Sequence, residues 1–70
     1  MARDFIGRHV YVGDMVQFWQ DRDKATADGT TAPAYEVTRV HVQTDYWGFC
    51  DVSLKGLPDT YTLRALVKVQ

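Results

Sequence analysis

Tyr35-Glu36-Val37-Thr38-Arg39-Val40-His41-Val42-Gln43 alternates and then loses step. Tyr35 and Val37 are apolar at odd positions, Val40 and Val42 at even ones. A strand repeats every two residues, so one buried face cannot pass from odd to even positions unaided. A bulge or sharp bend near Thr38-Arg39 restores the step, or else the strand is strongly coiled and serves different parts of a barrel wall. A strand that bends in this way belongs in a short sheet that curls on itself. Residues 34–43 therefore predict an all-β fold.

The stretch that follows is a second strand, residues 46–55, after a turn at Thr44-Asp45. Two hairpin registers fit. A two-residue turn sets Val42 against Trp47 and Val40 against Phe49, which makes one apolar core face. A three-residue loop sets Val42 against Gly48 and Val40 against Cys50, leaving Trp47 and Phe49 outside. One residue of slip exchanges every side chain between faces. Gly56-Leu57-Pro58-Asp59 ends the strand, because Pro donates no ladder hydrogen bond and Gly permits reversal. Residues 61–69 close the chain. Tyr61, Leu63, Ala65, Val67 and Val69 alternate, but Leu66 does not, which predicts a 3₁₀ turn within residues 62–66.

Upstream, Arg8-His9-Val10-Tyr11-Val12 reads as a strand, and Gly13-Asp14 breaks it. Residues 15–20 form the next, with Val16 and Phe18 inward and Met15, Gln17 and Trp19 on the opposite face. Residues 21–33 are polar, lack an apolar period and contain the turn pair Asp28-Gly29. They predict a long surface loop between the second and third strands, with at most a helical turn at residues 24–27. Loops of this length are often functional.

The totals agree. Seventy residues make one domain, residues 1–70, and a chain this short buries only about 60% of its unfolded surface. Aromatics form 13% of it, and they supply burial economically. Net charge is −1, with no basic run to displace counterions from phosphate, which disfavours nucleic acid and anionic membranes as partners. No apolar run reaches the roughly 20 residues that span a bilayer. Cys50 is the lone cysteine, and the first residues lack a secretory apolar run. Both point to a reducing, cytoplasmic setting.

Val12-Gly13-Asp14-Met15-Val16 resembles the opening turn of SH3-like barrels, the group that includes Tudor and KOW domains. Residues 62–69 are similar to the closing element of such barrels, a 3₁₀ turn feeding the last strand. The resemblance implies a small five-stranded SH3-like barrel. It implies binding of peptides, modified side chains or nucleic acid rather than catalysis. The Ala-Leu-Tyr motif and paired Trp of polyproline-binding SH3 domains are absent.

Chemistry-bearing residues are sparse. His9 and His41 lie on different strands without a neighbouring carboxylate in sequence. Ser53 and Cys50 sit in no nucleophile motif, and Cys50 reads as a small core residue. Asp21 and Asp23 lack the ligand spacing of a cation loop. No enzymatic activity, cofactor or metal is implied. The aromatic residues are the better lead: Trp19, Tyr35, Tyr46, Trp47 and Phe49, with Asp21 and Asp23 of the loop beside them, form the expected binding set. Tyr35 or Tyr46 near Asp51 could cage a cation.

The leading expectation is a small module that binds a protein partner. In size and class it resembles the accessory and inhibitor proteins of phages and mobile elements. Two other readings compete with it. One is a KOW- or Tudor-like nucleic-acid binder using Arg8, Arg39, Arg64 and Lys68 on phosphate. The other is a structural subunit whose patch buries against copies of itself.

Overall fold

The computed structural model describes residues 2–69. It is a small all-β fold with one helix: β1 (Met15–Phe18), α1 (Trp19–Asp28), β2 (Tyr35–Thr44), β3 (Cys50–Leu54), β4 (Thr60–Thr62), the 3₁₀ turn η1 (Leu63–Ala65) and β5 (Leu66–Lys68). The five strands form one antiparallel sheet in the order β4-β3-β2-β1-β5. The sheet does not close into the expected barrel: β4 and β5 lie at its two ends, and no ladder joins them among the described residues.

The slip in residues 35–43 is present where expected. Val37 faces Leu54, Arg39 faces Ser53 and Val40 faces Val52, so Thr38 and Arg39 together oppose one residue of β3. A second irregularity lies between Val40 and Thr44. Because of it, Val42 is 96% exposed, against the expectation that it shares a buried face with Val40.

The strands at the ends of the chain differ from the expectation. Residues 8–12 form no ladder. His9 makes a single bridge to Arg3, and the Val10 N–H donates to Ala2. The cause is Asp4, whose carboxylate takes the N–H groups of Ile6 and Arg8, folding residues 4–8 into a tight loop. The strand count stays at five because η1 divides the last stretch into β4 and β5. Leu63 and Leu66 lie three apart, which puts them on one side of a 3₁₀ turn. Both are fully buried, so Leu66 no longer violates the pattern. The Thr62 hydroxyl caps the turn by accepting the Arg64 N–H.

The loop expected at residues 21–33 is largely α1. Only Ala25 of the helix is buried, so no apolar period was present to reveal it. It ends at Gly29, with φ of 72°. There the Gly29 N–H reaches Thr26 and the Thr30 N–H reaches Ala25, a Schellman ending. Gln17, placed outside by alternation, is instead buried and donates to the Ala32 carbonyl at 2.8 Å. That bond pins the segment after the helix against β1.

The core is Val10, Val16, Val37, Val52, Leu54, Leu63 and Leu66, with Phe18, Tyr35, Phe49, Cys50 and Tyr61 packed on its shoulder. Val16 and Phe18 point inward as alternation requires, and Cys50 is a partly buried free thiol against the core.

Candidate functional site

The hairpin between β2 and β3 takes neither expected register. Thr44 pairs with Cys50, and residues 45–49 form the loop. Asp45 builds it. One carboxylate oxygen accepts the N–H of Trp47 and of Phe49, at 2.9 and 3.0 Å, and the other accepts the Thr62 hydroxyl at 2.8 Å. The Gly48 N–H closes the turn on the Asp45 carbonyl, with φ of 83° at Gly48. Burial works to raise the Asp45 carboxyl. The Thr62 hydroxyl, the N–H groups of Phe49 and Trp47 and the Arg64 charge outweigh it, and the group titrates below the usual carboxylate range.

This loop separates the two aromatics that either register would have kept together. Trp47 is 61% exposed, whereas Phe49 packs on the core. Tyr46 stands out beside Trp47, edge to face at 5.3 Å. The Arg64 guanidinium lies over the Trp47 ring, 5.1 Å from its centroid. Arg64 also lines a groove of about 250 Å³ with Phe5, Phe18, Trp19, Gln20, Thr62 and Ala65.

Trp19 opens α1 and stacks on Phe5, with centroids 5.3 Å apart and 16° between the planes. Phe5 is held by its own N–H, which donates to Leu66 of β5 at 2.9 Å. Beyond the stack lies a second groove of about 410 Å³, lined by Ile6, Arg22, Asp23 and Val67 as well. The Phe5–Trp19 pair is thus a ridge between two grooves. Phe5 and Ile6 remain largely exposed.

The expected set is therefore split. Trp19, Tyr46 and Trp47 belong to one surface joined through Arg64. Asp23 borders its far groove. Asp21 lines a shallow depression with Lys24 and Asp28 on another side of α1. Tyr35 meets Phe18 edge-on at 6.0 Å, and Phe18 meets Tyr61 at 5.3 Å. Tyr35 and Phe49 thus serve packing, and Tyr35 and Tyr46 sit in separate aromatic clusters. The cation found over an aromatic ring of the hairpin loop is the chain's own Arg64.

Sequence reasoning missed Phe5, Ile6 and the position of Arg64. Phe5-Ile6 is an apolar pair outside every strand, and that was the available signal. It also missed the partner of His41, whose Nε2 lies 2.8 Å from the Ser53 hydroxyl across β2 and β3.

Tyr11, Val12 and Met15 are also exposed. His9 stacks on Tyr11 at 6.4 Å, and Lys68 Nζ lies 5.9 Å from the Tyr11 ring. Lys68 also pairs with Asp14 at 3.3 Å. The Tyr11 N–H holds the Asp14 carboxyl below its ordinary range, and the Lys68 ammonium adds to this against the effect of burial.

Among the described residues, no helix is long and apolar enough to cross a membrane. No family model, curated protein or solved structure matches the chain.

Proposed function

We propose that this chain acts by binding a protein partner through the surface that runs from Tyr46 and Trp47, across Arg64, to Trp19, Phe5 and Ile6. The observation that carries the reading is the Phe5–Trp19 stack, an aromatic ridge of exposed Phe5 on half-buried Trp19, flanked by two grooves. Monomeric proteins rarely leave contiguous apolar surface in water without use, and Trp, Tyr and Arg dominate binding hot spots. In this surface the aromatics are already held. Phe5 is tied to β5, Trp19 is fixed in α1, and Asp45 bolts the Trp47 loop to β4. Held side chains lose little entropy on association.

Charge supports the same reading over nucleic acid. Arg8 pairs with Asp4, Lys68 pairs with Asp14, and Arg64 lies on Trp47. Two of the four cations that would grip phosphate are thus already paired with carboxylates of the chain.

The test is capture from extracts of the producing cell on the immobilised chain. Phe5→Ala and Trp47→Ala should each abolish retention of a partner that Lys55→Ala retains. Retention dependent on nuclease-sensitive material, with a steep salt slope, would favour nucleic acid instead. Sedimentation of the chain alone completes the comparison. A dimer abolished by the same substitutions would assign the surface to self-assembly.

A further inference from the structure

Resting on that binding reading, we infer that the groove beside Arg64 receives one large apolar side chain, preferably aromatic, from a partner segment that carries Asp or Glu next to it. Three features define this occupant.

The first is size. At about 250 Å³ the groove lies below the roughly 300–1,000 Å³ of pockets for drug-sized ligands. It has room for one large side chain. The second is the wall. Phe5, Phe18 and Trp19 present ring surface, which pairs well with another ring in offset or edge-on geometry.

The third is charge. Arg64 is the only ionisable group that lines the groove, and no carboxylate lines it. Among the described residues the ion pairs are Arg8 with Asp4 and Lys68 with Asp14, so Arg64 has none. Its guanidinium donates no hydrogen bond there either. Asp45 lies near enough for its carboxyl to respond to the Arg64 charge, but that carboxylate already accepts from Trp47, Phe49 and Thr62. The guanidinium rests against the Trp47 ring, its Cζ 5.1 Å from the centroid, with its N–H donors unused among the described residues. A planar fork presented in this way matches a carboxylate with two parallel hydrogen bonds. The far groove differs, because Arg22 and Asp23 both line it and offset each other.

The test is an NMR titration of the intact chain, reading the indole N–H of Trp19 and the Nε–H of Arg64. The probes are acetyl-Asp-Phe-Asp-amide, its neutral analogue acetyl-Asn-Phe-Asn-amide, its ring-less analogue acetyl-Asp-Ala-Asp-amide, and N-acetylphenylalanine. The acidic aromatic peptide should shift both reporters, and the two peptide analogues should bind at least tenfold more weakly. Arg64→Gln should bring the acidic peptide down to the level of the neutral one, and Arg64→Lys should fall between. Arg64 is exposed, so these variants keep the fold, and their amide spectra verify it. Equal binding of charged and neutral peptides overturns the inference, as do shifts confined to other residues or no shift at millimolar peptide. Tighter binding of N-acetylphenylalanine than of the peptide assigns the groove to a small aromatic acid and overturns the peptide source. These readouts do not depend on capture of a cellular partner. The ligand class can fail while the binding reading stands, and the reverse.

Discussion

The main-chain N–H of Lys68 donates to the carboxylate of Asp4 at 2.8 Å, across 64 positions of sequence. Asp4 is fully buried, and it also accepts from the N–H groups of Ile6 and Arg8 and from the Arg8 side chain. The Phe5 N–H takes the Leu66 carbonyl and the Arg8 guanidinium takes that of Lys68. One acidic side chain and its loop therefore satisfy the outer edge of β5, where another strand would otherwise be needed.

Asp4→Ala should be among the most damaging single substitutions. It leaves buried donors unpaired and strands the Arg8 charge, a loss of about 3 kcal/mol. Asp4→Asn keeps an acceptor for Lys68 and should lose less. Urea denaturation of the three proteins measures the order.

The two tryptophans should report opposite environments. Trp19→Phe leaves Trp47, 61% exposed, and its emission should be red-shifted and readily quenched by acrylamide. Trp47→Phe leaves Trp19, half-buried against Phe5, and its emission should be bluer and better protected. Identical quenching would contradict the hairpin loop built by Asp45.

Acid should weaken the fold through two carboxyls. Asp14 and Asp45 both titrate below the ordinary range in the folded chain. A depressed folded value contributes stability above the unfolded pKa, near 4, and that contribution is lost as pH falls through the folded value. Denaturant midpoints should hold from pH 7 to about 5 and drop on further acidification. Asp45→Asn should flatten part of that drop.

Gly29→Ala should lower stability by about 1 kcal/mol, because a Cβ is strained at a left-handed residue. Circular dichroism should show that the loss comes with fraying of α1, since the substitution introduces no clash.

Much of the fold was legible because burial leaves periodic marks. The slip at Thr38-Arg39 and the misplaced Leu66 were each visible as a broken alternation. Each has a local cause, a bulge in one case and a 3₁₀ turn in the other. What escaped was written in polar contacts. α1 buries only Ala25, so its signal lay in its composition and in Asp28-Gly29 as a helix ending rather than a turn within a loop. The loop 45–49 was misjudged because Gly48 was read as a strand residue. Asp at the first and Gly at the fourth position of a type I turn was the signal available. Of the candidate surface, Trp19, Tyr46 and Trp47 were found through residue type alone. Phe5, Ile6 and Arg64 join them only through pairings distant in sequence, and a single sequence carries no mark of those.

The strand order also dictates how the chain must assemble. β2, β3 and β4 follow one another as a meander whose partners are close in sequence, so their closure entropy is small. β1 and β5 instead join Val16 to Lys68, and the Asp4 carboxylate reaches Lys68 from still farther away. Non-local pairing of this kind raises contact order and slows the search. These separations predict that the meander forms first and that the Asp4 clasp on Lys68 locks last. Substitutions at Asp4 should therefore accelerate unfolding and leave the refolding rate almost unchanged.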